Sequence, residues 1–365
     1  MLKRDLESRG TDLRVFCGMV EGQRRPVDDT FLQRLAHLKF NIKIGGLQEK
    51  LVLLLPLFSS LAKYRPDIII SEDISAMPNC LAVQMYARLF GIPYVIHGPG
   101  AIPNKKPSKL KYLLWPLIDC YRKGANAFLC YSSYAERYYY DKYHKPCYLA
   151  YNSVGNAHSE TEYERIRANI YRKYAAPMES GVNVVFVGRL TPQKRVDLLL
   201  AAISQTRGDA RIAVRIIGDG NSKEELIALS KRLGTEDRIS FLGSIWDDDK
   251  KAALFMDAHL GVLPGLGGLA IQEMMWYGIP VITSSADGTE GDLVVQGGGG
   301  LYIAEMNADS LQKSIASFVS MQYEEKVAMA LSALDVVHEK YNLSSMVAAY
   351  RESVTQQAGR PPRSR

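Results

Sequence analysis

Through the first 150 residues, short and almost wholly apolar runs alternate with longer amphipathic ones. The short runs predict strands at Asp12–Cys17, Asp67–Ser71, Pro93–His97, Ala127–Ser132 and Tyr148–Tyr151. Between them, apolar positions recur at helical spacing over Gln48–Tyr64, Ala76–Phe90, Lys109–Lys123 and Ser133–Tyr143. Strands without a polar face, separated by helices, indicate a parallel sheet covered on both sides.

The pattern restarts after Asn152. A charged helical connector, Glu162–Tyr174, precedes predicted strands at Asn183–Val187, Arg211–Ile217, Ile239–Leu242, His259–Leu263 and Pro280–Ser284. Helices are predicted between them at Val196–Thr206, Lys223–Leu233, Asp247–Met256 and Leu269–Tyr277. The fold class is therefore α/β, with two Rossmann-like, doubly wound domains and ligands expected at the carboxyl ends of the strands. The expected boundaries are 1–165, 166–342 and 343–365. The last segment holds a helix near Ser344–Val354, expected to cross back onto the first domain, and a frayed basic tail from Gly359.

Composition adds two constraints. Apolar residues make up 47% of the 365, enough for two cores, and Leu51–Leu57, the longest apolar run, is too short to span a bilayer. Cys17, Cys80, Cys120, Cys130 and Cys147 show neither metal spacing nor an even framework. They read as structural thiols, so a soluble protein in a reducing, cytoplasmic compartment is expected.

Charge divides the chain. Residues 1–150 hold 22 Lys/Arg and 13 Asp/Glu, a net of +9, which leaves −3 for the rest. An anionic partner for the first half follows; nucleic acid, an anionic membrane and a phosphate-bearing acceptor all satisfy it. Lys105, Lys106, Lys109 and Lys111 run directly into Tyr112, Leu113, Leu114 and Trp115. That mixture suits a membrane interface with Trp115 at headgroup depth, or a partly buried helix with a solvated basic end.

Candidate chemistry clusters at strand ends. In Val187-Gly188-Arg189-Leu190-Thr191-Pro192-Gln193-Lys194, Gly188 permits close backbone approach to a ligand. Arg189 and Lys194 could then flank a diphosphate; spacing alone leaves open a solvated basic loop. Pro264-Gly265-Leu266-Gly267-Gly268-Leu269 is a glycine-rich turn feeding a helix, whose amides suit phosphate or sugar hydroxyls. Glu273, one turn further on, can accept from a ribose diol or stand in solvent. Glu290, in Asp-Gly-Thr-Glu, either contacts the donor or caps a helix. His97 ends a strand before Gly98-Pro99-Gly100, as a site residue or a satisfied structural histidine. Asp247-Asp248-Asp249 resembles a metal-binding run but reads as a helix start. Gly297–Gly300, with no helix directly after it, reads as a turn rather than a phosphate loop.

These segments, with Gly-Asp-Gly at 218–220, Phe-Leu-Gly at 241–243 and Gly-Ile-Pro-Val-Ile at 278–282, resemble glycosyltransferase family 4. The resemblance covers nearly all of the C-terminal half. In the first half it is looser, resting on the strand ending at His97 and on Tyr-Asn-Ser-Val at 151–154. It implies the GT-B fold, with the two domains facing across a cleft. It also implies a hexosyltransferase that moves a sugar from a nucleotide diphosphate donor, usually with retention, and uses no further cofactor or metal. Arg189 and Lys194 would neutralise the departing diphosphate, Gly188, Gly267, Gly268, Leu269, Glu273 and Glu290 would hold the donor, and His97 would meet the donor sugar or the acceptor. A polysaccharide or polyprenyl-diphosphate-linked oligosaccharide is the expected acceptor. It would place the protein in cell-envelope polysaccharide biosynthesis, peripherally on the inner membrane face.

The resemblance departs from the family pattern twice. Of the family's two motif glutamates, Glu273 matches the second, and the first falls on Gly265. Either the amides of Gly267 and Gly268 do the positioning, or activity is weakened and the chain is a sugar-nucleotide-binding relative. A GT-B sugar epimerase is the other alternative, though no acid/base carboxylates for it were located. The chain also opens on what reads as the tail of a helix ending at Gly10, where the family has a strand and glycine loop first. The N-terminal domain is thus expected to lack its first strand, which would be central in a doubly wound sheet.

Overall fold

A computed structural model describes residues 12–13, 15–17, 32–34, 37–44, 47–54, 56–73, 77–101, 112–153, 159–175, 181–206, 212–284, 288–296, 298–305 and 307–358. The chain divides into two compact units. One holds Met1–Ala101, Lys105–Ala150 and Ser344–Arg365; the other holds Tyr151–Leu343.

In the first unit, β1 (Val15–Cys17) pairs in parallel with β2 (Leu32–Arg34). An antiparallel hairpin follows, β3 (His37–Ile44) with β4 (Leu47–Leu54), then α1 (Leu57–Tyr64). The helix expected over Gln48–Tyr64 is thus half strand. Leu-Val-Leu-Leu-Leu satisfies either period, and Pro56, which cannot sit inside a helix, divides the two elements.

Then come β5 (Ile69–Glu72), α2 (Met77–Phe90), β6 (Tyr94–Gly98), α3 (Trp115–Gly124), β7 (Ala127–Cys130), α4 (Ser133–Tyr143) and β8 (Cys147–Leu149). The order β5-β6-β7-β8 is parallel throughout. Strand period divides the core between the two faces. Ile69, Tyr94, Ile96 and Phe128 pack beneath α2, α3 and α4, while Val95, Ala127, Leu129 and Tyr148 meet Ala349 and Tyr350 of the C-terminal helix Leu343–Ala358. Tyr148 anchors that helix by a 2.7 Å hydrogen bond to Gln356.

The second unit opens with α5 (Glu160–Ala175). It continues through β9 (Val182–Val187), α6 (Val196–Gln205), β10 (Ile212–Ile217), α7 (Lys223–Arg232), β11 (Ile239–Gly243), α8 (Asp248–Met256), β12 (Leu260–Leu263), α9 (Leu269–Trp276) and β13 (Val281–Ser284). A π-helical turn at Gly291–Gln296, β14 (Gly300–Ile303), α10 (Ala308–Ser320) and α11 (Tyr323–Lys340) complete it. Every ladder is parallel, in the order β11-β10-β9-β12-β13-β14. Numbered within the unit this is 3-2-1-4-5-6, the Rossmann order, whose connections diverge on either side of β9 and β12. The carboxyl ends of those two strands are where a nucleotide is expected.

Candidate functional site

β9 leads directly into Gly188, which takes φ +152°, and the facing loop of β10 turns at Gly218 with φ +150°. The loops are laced together: Gly188 N–H donates to Ile217, Leu190 N–H to Asp219 and Ser222 N–H to Leu190, all at 2.9–3.0 Å. A Cβ on Gly218 would lie 1.9 Å from the Gly188 carbonyl oxygen, and one on Gly220 would lie 2.3 Å from that of Leu190. The Gly-Asp-Gly signature therefore has a steric origin.

Beyond Leu190 the chain makes a 3-10 turn, Pro192–Lys194, and reverses through Arg195 at φ +52° into α6. Arg189 is exposed, and its guanidinium is paired with no described residue. Lys194 folds back, and its ammonium donates to the carbonyl of Leu266 in the turn after β12. Leu266 N–H returns a 3.3 Å bond to the Gln193 carbonyl. The two predicted cations thus share one end of the sheet with the glycine-rich turn.

That turn explains Gly265. A Cβ there would stand 2.1 Å from the Gln193 carbonyl oxygen and 2.9 Å from the Lys194 Cα, both backbone atoms with little room to yield. The missing motif glutamate is thus no simple loss of a carboxylate, because the space a side chain would leave through is occupied. Ser284, at the end of β13, supports the turn by donating to the Pro264 carbonyl at 3.3 Å.

Gly268, at φ +60°, precedes α9 without a side-chain cap. Ile271 N–H turns back to the Gly268 carbonyl at 3.2 Å, while the amides of Leu269 and Ala270 ahead of it have no intrahelical acceptor and carry the positive end of the helix dipole. Glu290 is fully buried and takes a 3.1 Å hydrogen bond from Gly288 N–H. Its Oε1 also lies 3.6 Å from where a Gly267 Cβ would be, so it lies beside the turn.

Glu273 lies on α9, where its Oε1 is 2.5 Å from the Lys251 ammonium of α8, each side chain about one-fifth exposed. Sequence reading missed Lys251, and nothing in the spacing signals it. Asp247 caps α8 by accepting from Lys250 N–H at 3.0 Å, the role read for the acidic run. Among the described residues no cluster of three or more His, Cys, Asp or Glu could hold a metal ion.

His97 belongs to the other unit. It is the penultimate residue of β6, on the face that meets the C-terminal helix, its ring centroid 5.7 Å from Tyr350 and 6.4 Å from Tyr131. Burial holds its pKa below the usual histidine value, against the opposing pull of Glu72. The neutral ring keeps a buried Nε2 with no partner among the described residues. The loop beyond it is fixed by a pair the sequence did not reveal. Arg122 bonds Asp73 at 2.6 and 3.0 Å, both side chains 1% exposed, and reaches the Gly100 carbonyl at 3.3 Å. Tyr139 donates to Asp73 at 2.7 Å and accepts from Gly100 N–H at 3.1 Å. A Cβ on Gly98 would strike that of Asp73 at 2.3 Å.

Trp115 is half-buried, with the Arg122 guanidinium 5.6 Å and the Lys142 ammonium 4.7 Å from its ring. Lys105, Lys106, Lys109 and Lys111 lie outside the described residues. No helix among the described residues is long and apolar enough to cross a membrane.

Comparison with known proteins gives this arrangement relatives. Residues 170–333 match the family model of glycosyl transferases group 1. An uncharacterized glycosyltransferase of Methanocaldococcus jannaschii is 26% identical over 175 residues, 47% of this chain and 44% of its own. The D-inositol 3-phosphate glycosyltransferase of Segniliparus rotundus is 32% identical over 133 residues, 32% of this chain and 28% of its own. The chain thus aligns with less than half the length of either curated relative. The crystal structure of Anabaena HepE in complex with UDP superposes with a TM-score of 0.64 at 18% identity, covering 82% of each chain. The fold is accordingly that of the GT-B glycosyltransferases, and the similarity to the group 1 family model lies within the second unit.

Proposed function

We propose that the protein is a hexosyltransferase, moving a sugar from a nucleotide diphosphate sugar to a polysaccharide or lipid-linked oligosaccharide with retention of anomeric configuration. The observation that carries the reading is the convergence of Arg189, Lys194 and the uncapped start of α9 at the divergence of β9 and β12. Cations and helix dipole there suit a diphosphate, and both act most strongly as the leaving group gains charge. Glu273 accepts from the ribose diol, Glu290 contacts the donor, and His97 of the first unit meets the donor sugar or the acceptor. That the Anabaena neighbour is in complex with UDP supports a nucleotide as ligand of this fold.

Nucleotide release, measured across a panel of donor sugars with and without acceptor, tests the reading. Acceptor-dependent release with an α-configured product from an α-configured donor is expected; donor binding with no turnover would favour a sugar-nucleotide-binding relative, the alternative that Gly265 supports.

Two further outcomes follow. Leaving-group charge is met by Arg189 and Lys194, and Asp247 is engaged as a cap, so turnover is expected to persist in chelator; activity lost there and restored by manganese refutes this. Lys251→Met leaves the Glu273 carboxylate without its cation. The KM for donor should rise about threefold to tenfold with kcat little changed, as for loss of one oriented hydrogen bond. An unchanged KM would separate Glu273 from the ribose.

A further inference from the structure

Gly98-Pro99-Gly100 takes no part in the diphosphate chemistry, yet separate segments of the first unit are built around it. Asp73 follows β5, Arg122 lies on α3, and Tyr138 and Tyr139 lie on α4. Asp73 N–H donates to the His97 carbonyl at 2.8 Å, the Tyr139 hydroxyl accepts from Gly100 N–H, and Arg122 donates to the Gly100 carbonyl. Side chains therefore hold both backbone polar groups of Gly100, which stands at φ +69°. The glycines themselves fit this framework. A Cβ on Gly100 would lie 2.7 Å from the Tyr138 ring, and one on Gly98 would lie 2.3 Å from the Asp73 Cβ.

Stability does not account for the arrangement. Burying Asp73 with Arg122 strips both ions of water, and apolar side chains of similar volume often serve stability as well or better. What the ions supply is a single geometry. The guanidinium donates to both Asp73 oxygens, to the Tyr138 hydroxyl at 2.8 Å and to Gly100, and lies 5.5–5.6 Å from the rings of Trp115, Tyr138 and Tyr139. Tyr139 is stacked on Phe128 with centroids 4.1 Å apart. Burial and the Asp73 charge hold its phenol above the ordinary value, so it remains a donor to Asp73. A buried network satisfied on so many sides leaves the loop one arrangement.

That loop faces outward where a ligand is expected. Pro99, Gly100 and Ala101 are half-buried and follow the carboxyl end of β6, the end at which open α/β sheets bind their ligands. From His97 to Ala101 it carries no charge, burial holding His97 neutral, which suits sugar hydroxyls rather than phosphates. We propose that Asp73, Arg122 and Tyr139 are positioning residues, holding the His97–Gly100 loop in the shape that receives hydroxyl groups of the acceptor. The inference rests on the transferase reading and deepens it, assigning the acceptor to this loop and the precision of its recognition to the side chains behind it.

Nucleotide release is measured with UDP-glucose and GDP-mannose as donors, and with polyprenyl-diphosphate-linked N-acetylglucosamine and octyl glucoside as acceptors. Tyr139→Phe keeps the stacked ring and deletes the hydroxyl. The KM for acceptor should rise about tenfold while that for donor holds. Arg122→Lys keeps a cation beside Asp73, but an ammonium lacks the planar fork that engages the carboxylate and Gly100 together, so the same constant should rise by a similar factor. Exchange of the Gly100 amide proton should quicken in Tyr139→Phe. A clamp that served folding alone would lower the melting temperature and kcat through a smaller folded fraction and leave both KM values where they were. That result overturns the proposal, as does unchanged Gly100 exchange or a rise in donor KM in place of acceptor KM. Wild type that releases nucleotide from donor alone and gains nothing from either acceptor removes the transferase reading itself, and the proposal with it.

Discussion

Arg189→Ala is expected to lower turnover about tenfold to a hundredfold while leaving the melting temperature unchanged; Lys194→Ala should cost as much in rate and also lower the melting temperature. The rate effect follows from charge-assisted hydrogen bonds to a leaving diphosphate, worth about 1.5–3 kcal/mol each. The stability effect separates the two because their surroundings differ. Arg189 is exposed with no described partner, so its removal breaks nothing in the resting protein. Lys194 ties the 3-10 turn to the Leu266 carbonyl, and the alanine variant leaves that carbonyl without the ammonium. Thermal melts and donor turnover on both variants check this. Wild-type rates in both would remove the diphosphate from this end of the sheet.

Why those two cations were legible in the sequence, and their surroundings were not, is a matter of range. Gly188 followed by Arg189 and Lys194 is a local signal: a strand, a glycine that frees the backbone, and charges on the next loop. The strands from Val182 onward were equally local, as short β-branched runs between helical spacings. The hairpin of β3 and β4 was not, because pairing His37 with Leu54 is a long-range choice that period alone cannot make. The side-chain pairings were hidden for the same reason. Asp73 and Arg122 are 49 positions apart and meet only when α3 packs over β5 and β6. Lys251 reaches Glu273 only when α8 and α9 are folded onto the sheet. Sequence therefore pointed to one end of the second sheet, and the fold decided what each carboxylate and cation there is already holding.

Gly265 shows how far that distinction carries. On the family pattern alone, Gly265→Glu restores a missing carboxylate and should raise activity. The structure requires the opposite. The first atom of any side chain at 265 would meet the Gln193 carbonyl oxygen at 2.1 Å and the Lys194 backbone within 3 Å, and backbone atoms do not swing aside as a side chain tip does. The turn carrying Lys194 must then move, and overpacking of this kind costs about 1–3 kcal/mol. For a unit of this size that lowers the melting temperature by roughly 2–10 °C. Displacing Lys194 from the diphosphate should remove about as much turnover as deleting it, tenfold or more. Gly265→Ala separates sterics from charge. If the contact decides, alanine should lose nearly as much as glutamate, since both place a Cβ at the same point. A glutamate variant more active than wild type, or an alanine variant indistinguishable from it in rate and melting temperature, would mean that the two loops are not packed together in the working protein.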